Sequence, residues 1–396
     1  MASVQLGHSI PTTFTGSSRN MDNIPKAVQA TNKPRCKSQQ SFVFIKTHKS
    51  GSTTMIAPLQ KYAYLHNLTT VVPSGDNNIH LAWPFKFIPN QSNMISPDGH
   101  RFQVLVNHIV YNKRSMQLLM DQSTKYITIV REPIPHLISS YQYFSVNKNN
   151  SFLRLGKSEF EKFLLNPVKN DPKPYWMRNF VNPEIKSLTR NLQSADLGMD
   201  YVNFDNTSAI EYFIREIEKD FSFILVLEKL AESLVLLKRK FCWSMQDIVH
   251  VNKNIQKTQW NWSYKNISQQ LLKSVYRWNN VDSLLYRMAV EKLNKLRDAQ
   301  QGLDDEIQIF NDINTRISQY CGGNISKWKS KETPQPLTIQ RSLYNEQFQV
   351  DKQFCSLLLL GEEEMTLLLK CKQYPSCHQC VRDKSRVDAL KDILTA

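Results

Sequence analysis

Residues 41–54 read SFVFIKTHKSGSTT, an apolar run followed by a loop of small polar and basic residues. The run from Phe42 to Ile45 is aromatic and β-branched, which predicts a strand buried on both faces. Beyond the loop, apolar residues at helical spacing from Met55 to Tyr62 predict a helix. A strand, a small-residue loop and a helix form the layout of a phosphate-binding cradle, because N–H groups at a helix N-terminus face an anion.

The residue types of the loop suit an anion. Gly51 allows the backbone to approach a ligand closely, Lys49 carries a mobile positive charge, and the hydroxyl groups can donate hydrogen bonds. The candidate anion-binding residues are Lys46, Thr47, Lys49, Ser50, Gly51, Ser52, Thr53 and Thr54. The alternative is an ordinary strand-to-helix turn with a Ser/Thr cap. The loop lacks the G-x-x-x-x-G-K-[ST] pattern of a Walker A sequence, so it does not predict an ATPase.

Three more apolar runs predict strands over 103–106, 126–130 and 223–227, with helical patterns between them. Strands that alternate with helices predict an α/β fold with a mainly parallel central sheet flanked by helices. Pro133 stands where a helix would begin. Lys49, His108 and Arg131 each follow a predicted strand, and ligands of such sheets bind beyond the carboxyl ends of the strands. The pattern therefore predicts one shared site.

The chain has 396 residues, a hydrophobic share of 41% and a formal net charge of +15. This composition allows a sizeable core and predicts anionic partners, such as nucleotide cosubstrates, acidic glycans or an anionic membrane surface. Without zinc-finger spacing or an RRM-type motif, we expect no nucleic-acid partner. The sequence shows no apolar stretch of membrane-spanning length, and residues 1–40 lack the apolar core of a signal peptide.

Two features of the sequence indicate an oxidising compartment. Seven N-x-[ST] acceptors for glycosylation occur, at Asn67, Asn90, Asn149, Asn206, Asn261, Asn266 and Asn324. Seven cysteines are present, and Cys377 with Cys380 could form half of a zinc site, although no second C-x-x-C completes it. Disulfides are the favoured interpretation, and the odd count leaves one thiol, with Cys36 a candidate.

The predicted organisation has three parts. Residues 1–40 are polar throughout and are predicted to be a disordered leader. Residues 41–330 contain the strand–helix pattern. Residues 331–396 form a C-terminal extension in which disulfides are expected and a helix is predicted over 357–369.

Arg131 and Ser139 supply a second candidate anion-binding pair. Arg131 ends a predicted strand, and Ser139 lies two turns into the next helix, so a guanidinium fork and a hydroxyl could hold a terminal phosphate. A surface arginine and a solvated serine are the alternative. Together with the loop, the pair resembles the sulfotransferases that use 3′-phosphoadenosine 5′-phosphosulfate (PAPS).

Among these sulfotransferases, the sequence is most similar to one family, the galactose-3-O-sulfotransferases. The stretches that carry this resemblance are KTHK at 46–49, NHIVYN at 107–112, YITIVREP at 126–133, RNLQ at 190–193, DLG at 196–198 and ESLVLLK at 232–238. The resemblance covers about residues 41–300. It implies a P-loop-like sulfotransferase fold, with the loop on the 5′-phosphosulfate of PAPS and with Arg131 and Ser139 on the 3′-phosphate.

The resemblance implies transfer of a sulfuryl group to the 3-hydroxyl of a terminal β-galactose on a glycolipid of the galactosylceramide type or on a glycan. Lys49 would stabilise charge on the leaving oxygen. His48 and His108 are both candidates for the base, since imidazole titrates near neutrality. No metal is expected. The family's Golgi membrane location is implied too, although the expected anchor helix is absent, which is compatible with a fragment or a soluble form.

Three other functions remain open at this point. A PAPS sulfotransferase could act on another carbohydrate. A P-loop-like kinase or nucleotide hydrolase would need a carboxylate that holds Mg²⁺ at a strand end, and none is evident after Ile45, Val106 or Val130. A non-catalytic glycan-binding relative is the third, and the presence of Lys49 and both histidines argues against it.

Overall fold

A computed structural model describes residues 36–76, 79–97, 99–145, 157–172, 181, 183–251, 268–325 and 334–395. Residues 37–396 group into one compact unit, and Met1–Cys36 forms a separate unit. Apart from its last five residues, the predicted leader lies outside the described residues.

Helices flank two small sheets along the chain. The strands are β1 (Phe42–Ile45), β2 (Val104–Leu105), β3 (Lys125–Val130), β4 (Phe221–Val226), β5 (Leu337–Ile339) and β6 (Phe348–Val350). The helices up to the fourth strand are α1 (Ser52–Leu65), α2 (Lys113–Leu119), α3 (Pro133–Ser145), α4 (Lys157–Leu165), α5 (Pro167–Asn170), α6 (Leu192–Asp196) and α7 (Thr207–Asp220). The later helices are α8 (Leu230–Phe241), α9 (Met245–Ile248), α10 (Gln269–Trp278), α11 (Asn280–Asp298), α12 (Leu303–Gly323), α13 (Lys352–Leu359), α14 (Glu362–Gln373), α15 (His378–Arg382) and α16 (Lys384–Thr395).

The larger sheet has the order β2-β1-β3-β4, and all its strand pairs are parallel. This confirms the predicted α/β class with a parallel central sheet. All four residues of β1 are fully buried, because the strand has a neighbour on each side and helices cover the sheet. Parallel pairing brings the segments after β1, β2, β3 and β4 to the same edge of the sheet.

The predicted strands lie within two or three residues of the observed ones, and α3 begins at Pro133 as predicted. The prediction of one continuous helix over 357–369 is wrong. The segment is two helices, α13 and α14, that meet at Leu360 and Gly361. Helical periodicity continues across the break, so only the non-helical backbone of these two residues marks it.

The C-terminal region, residues 334–395, is tied to the preceding helices by a disulfide and by packing. Cys321 in α12 is bonded to Cys355 in α13, and a second disulfide joins Cys371 to Cys380. Cys36 is itself in a disulfide, so the expectation that it is the leftover thiol is wrong, and the free cysteine is Cys377. Disulfides fit an oxidising compartment, while the Golgi location stays a prediction.

Among the described residues, none of the helices combines the length and the apolarity that crossing a membrane requires.

Gly51 closes the turn between β1 and α1, and its backbone lies in the left-handed region with φ 75°. A β-carbon at this position would come within 2.5 Å of Leu227 Cδ1.

We predict that Gly51→Ala lowers the free energy of unfolding by about 2–4 kcal/mol, since it combines left-handed strain with overpacking. Urea unfolding measures this loss. Gly75→Ala is the control, because Gly75 is exposed with open space around its Cα. Equal changes in the two variants would show that neither backbone strain nor overpacking is specific to Gly51.

Candidate active site

The anion loop, Lys46–Gly51, leaves β1 at the sheet edge and is shaped by its own hydroxyl groups. The Thr47 hydroxyl lies 2.5 Å from the Ser50 hydroxyl and donates to the Ile129 carbonyl of β3. Ser50 and Ser52 can each donate to the Thr47 carbonyl, at 2.8 Å. These hydroxyls are buried, so in this structure they maintain the loop rather than point outward. Thr54 is buried as well, and Thr53 is half-buried.

The N-terminus of α1 follows the loop and suits a negative charge. Its cap residue, Gly51, provides no side-chain hydrogen bond, and the first turn contains no acidic residue. The first N–H groups of a helix have no partner inside the helix, and the helix dipole places positive potential there. The structure thus retains the cradle geometry that the sequence predicts.

A hydrogen bond joins Arg131 to Lys49, which lies just before this helix. The Arg131 Nη1 donates to the Lys49 carbonyl at 3.0 Å, which links the segments after β1 and β3. Lys49 has a left-handed backbone, and its ammonium lies 3.9 Å from the centre of the Tyr143 ring. Burial, together with the positive charge of Arg131, lowers the pKa of Lys49 to about 8. Two neighbouring cations of this kind attract an anion with more than one negative charge.

Arg131 is also held through its backbone. Gln193 of α6 accepts a hydrogen bond from the Arg131 N–H at 2.7 Å and donates one to its carbonyl at 3.0 Å. Ser139 lies further along α3 and is half-buried. The assignment of Ser139 to a phosphate stays a prediction.

His48 is fixed by the carboxylate of Asp196, the last residue of α6. The His48 N–H donates to Asp196 Oδ2 at 2.7 Å, and the ring Nδ1 lies 2.9 Å from the same oxygen and 3.0 Å from Oδ1. Asp196 is fully buried and also accepts a hydrogen bond from Trp83 Nε1 at 3.0 Å. With Nδ1 directed at a carboxylate, the Nε2 of His48 is the nitrogen left for a proton transfer.

His108 joins the same cluster of rings. Its ring stacks on that of His48 with centroids 4.3 Å apart, and on that of His80 at 4.9 Å. Trp83 covers His48 from another side, also at 4.3 Å. Burial keeps the pKa of His108 well below its usual value, so this imidazole is neutral near pH 7. Its buried Nδ1 has no hydrogen-bond partner among the described residues.

His136 of α3 contacts the backbone of the anion loop. Its Nε2 lies 2.9 Å from the His48 carbonyl, and burial lowers the pKa of His136 to about 3. The neutral ring therefore donates its Nε2–H to this carbonyl, which anchors the backbone at His48.

Helix α6 owes its position to α11. The Asn191 side chain accepts hydrogen bonds from the N–H groups of Val281 and Asp282. Asp282 in turn accepts from the N–H and the hydroxyl of Ser194, at 2.8 and 2.6 Å. These buried contacts set the location of Gln193 and Asp196, and through them that of Arg131 and His48.

Lys46 differs from the other loop residues. Its ammonium is buried and forms an ion pair with Glu362 of α14. The structure thus ties Lys46 to the C-terminal region, and a direct role in anion binding stays a prediction.

Two carboxylates also reach the sheet edge beside Arg131, contrary to the expectation that none is evident there. Glu132 follows β3, and its N–H donates to Glu228 Oε1, after β4, at 3.1 Å. Burial and the charge of Glu228 raise the pKa of Glu132.

Among the described residues, the only group of three metal-ligating side chains is Cys371, Cys377 and Cys380, two of which share a disulfide.

The structure places Lys49, His108 and Arg131 at one edge of the sheet, as the sequence predicted, and His48 lies beside Lys49 in the anion loop. The sequence missed the roles of Asp196, His136 and Glu362. Asp196 stands in one of the stretches that carry the resemblance, which was the available signal. Nothing in the local sequence marks His136 or Glu362, because each acts on a residue far away in the chain.

Comparison with known proteins points to one group. A sequence profile described as Galactose-3-O-sulfotransferase matches residues 8–333. Bovine galactosylceramide sulfotransferase is 28% identical over 293 residues, which are 72% of this chain and 65% of that protein. Human galactose-3-O-sulfotransferase 2 is 28% identical over 250 residues, 62% of this chain and 58% of that protein.

These matches therefore span less than two thirds of each of the two relatives. The profile, in contrast, extends over most of the present chain and includes the anion loop, His108, Arg131 and Asp196. On this match, the chain belongs to the galactose-3-O-sulfotransferase family.

Proposed function

We propose that the protein transfers the sulfuryl group of PAPS to the 3-hydroxyl of a terminal β-linked galactose on a glycolipid or glycan. The observation that carries the proposal is the meeting of Lys49 and Arg131 beside an imidazole that Asp196 holds. The sulfotransferase family supports the reaction class and implies PAPS as the donor, and the names of the relatives support a galactose acceptor.

The donor would lie across the anion loop and the N-terminus of α1. Lys49 and the N–H groups of α1 would face the 5′-phosphosulfate, and Arg131 with Ser139 would face the 3′-phosphate. Because hydroxyls of Thr47, Ser50 and Ser52 bond within the loop, we assign them to keeping its shape. Hydrogen bonds between charged partners are worth about 1.5–3 kcal/mol each, enough to make the 3′-phosphate decisive for affinity.

The transfer is an in-line displacement at sulfur. The acceptor oxygen forms a new S–O bond while the S–O bond to the leaving phosphate breaks and its electron pair stays on the phosphate. His48 Nε2 takes the hydroxyl proton, and Lys49 stabilises the charge that develops on the leaving oxygen. With a pKa of about 8, Lys49 is mostly protonated at neutral pH.

His108 is assigned to the acceptor rather than to the proton. Burial makes its imidazole a weak base, since the charged form is disfavoured. A neutral ring stacked on His48 can still share a hydrogen bond with a sugar hydroxyl. Asp196 orients His48 and fixes which ring nitrogen faces the acceptor.

Incubation with radiolabelled PAPS and a panel of β-galactosides tests the function. We expect a labelled product whose sulfate is on the 3-hydroxyl of a terminal galactose. In the same assay, the Lys49→Ala variant should show both a lower turnover and a lower affinity for the donor. Sulfate on a 6-hydroxyl, an amine or a phenol would refute the acceptor and leave sulfuryl transfer intact. Glycan binding without transfer would instead identify a non-catalytic relative.

A set of variants separates the roles of the site residues. His48→Ala should lower kcat by roughly 10²–10⁴-fold, the usual range for general acid–base catalysis, and leave donor affinity nearly unchanged. Asp196→Asn should lower kcat less, because the imidazole remains but loses its orientation. His108→Ala should raise the KM of the acceptor with a smaller loss of kcat.

Steady-state kinetics and melting temperatures provide the readout for these variants. Asp200→Asn is the matched control, since Asp200 is exposed and caps a neighbouring turn. If His108→Ala abolishes turnover while His48→Ala retains it, the base is His108. If neither matters, the base is a carboxylate that has not been assigned.

A further inference from the structure

Lys46 stands at the junction of β1 and the anion loop and contacts a segment that lies far away in the sequence. Its ammonium pairs with the carboxylate of Glu362 in α14, and the two side chains are only 4% and 9% exposed. Glu362 lies beyond residue 333, where the family match ends. A part of the chain outside that match thus contacts the base of the loop.

Helix α14 is held at two further points, of which one lies next to the site. The Thr366 hydroxyl accepts hydrogen bonds from Gln60 in α1 at 3.2 Å and from Asn107, the neighbour of His108, at 3.3 Å. Gln373 bonds to both the N–H and the carbonyl of Thr70, at 2.5 and 2.9 Å. Glu362 is therefore presented to Lys46 by a helix that is held along its length.

The stability of the fold does not explain why this buried ion pair is present. Glu362 Oε1 is buried and has no hydrogen-bond partner among the described residues. An unpaired buried acceptor costs about 1–3 kcal/mol, and apolar residues of similar volume often replace a buried ion pair without loss of stability. The pair is better explained by the effect of the Glu362 charge on Lys46.

The charges around Lys46 show what Glu362 contributes. Burial lowers the pKa of Lys46, and the charge of Glu362 is the strongest influence that opposes this, ahead of that of Asp196. His80 and His108 are the other ionisable groups that respond to Lys46, and its charge lowers the pKa of each. Without Glu362, the charge of Asp196 would be the main influence left to oppose the effect of burial on the pKa of Lys46.

We propose that Glu362 is a positioning residue of the donor site, and that its carboxylate keeps the Lys46 ammonium charged and fixed at the base of the anion loop. The C-terminal region is then a working part of the active site. The identity of the anion as PAPS rests on the proposed function, but the effect of Glu362 on Lys46 does not.

Calorimetry with the product nucleotide, 3′-phosphoadenosine 5′-phosphate (PAP), tests the proposal between about pH 6.5 and about pH 8.5. In Glu362→Gln, we expect Lys46 to lose its charge at a lower pH than in wild type, because the charge that opposes the effect of burial is removed. We expect PAP affinity relative to wild type to fall by about tenfold at the upper pH and by less at the lower pH. Comparison with wild type at each pH removes the titration of Lys49, which both proteins share. An unchanged ratio at every pH would overturn the proposal.

Glu363→Gln is the matched control, because Glu363 lies in the same first turn of α14, is exposed and carries the same charge. Its PAP affinity should stay within about twofold of wild type. Glu362→Asp keeps the carboxylate and should restore part of the affinity. A loss as large in Glu363→Gln as in Glu362→Gln would show that overall charge is responsible, and would refute the positioning role.

A lone buried lysine can prevent folding, so a second variant removes both charges. The double variant Lys46→Met with Glu362→Leu should keep the melting temperature of wild type and still bind PAP weakly. Full PAP affinity in this folded protein would overturn the proposal.

NMR of the lysine side chains separates this proposal from the proposed function, because it needs no ligand. Lys46, identified by the signal lost in Lys46→Met, should titrate at lower pH in Glu362→Gln than in wild type. If it does so while wild type fails to bind PAP, the donor assignment is wrong and the positioning role stands. If Lys46 titrates alike in both proteins, the positioning role is wrong.

Discussion

The buried carboxylate of Asp196 holds the active-site loop in place. It bonds to both the backbone and the ring of His48, and it accepts a third bond from Trp83. A buried carboxylate is tolerated only when such donors surround it, so its burial and the orientation of His48 depend on each other. Because Asp196 ends α6, every contact that positions α6 also positions the imidazole.

The parallel sheet explains why a single helix can organise the whole site. Segments that leave β1, β2 and β3 meet at one edge, and they bring Lys49, His108 and Arg131 with them. Helix α6 lies against this edge, with Gln193 on the backbone of Arg131 and Asp196 on that of His48. Arg131 and His48 thus follow different strands, but both are held by α6. A displacement of α6 would disturb both together.

Local patterns in the sequence predicted what depends on neighbouring residues. The apolar run at 42–45, the proline at 133 and the strand-end positions of Lys49, His108 and Arg131 follow from periodicity and from the geometry of parallel sheets. The break at Gly361 escaped prediction, because the apolar pattern continues across it. Glycosylation, metal independence, membrane association and the absence of a nucleic-acid partner stay predictions.

Contacts between distant segments were beyond local patterns. Glu362 lies more than three hundred residues from Lys46 along the chain, and His136 reaches the backbone of His48 from another helix. The hydroxyls of the anion loop were expected to bind an anion, yet several of them bond within the loop. Their residue types are the same for either role, so only the three-dimensional structure distinguishes the two.

In the proposed function, Lys49 and Arg131 form one donor site with separate places for a 5′- and a 3′-phosphate. Calorimetry without Mg²⁺ can test this arrangement by comparing PAP with AMP, since the two nucleotides differ only in the 3′-phosphate. We expect PAP to bind at least about tenfold more tightly, because of the charged hydrogen bonds to that phosphate. Equal affinity for the two nucleotides would contradict this arrangement.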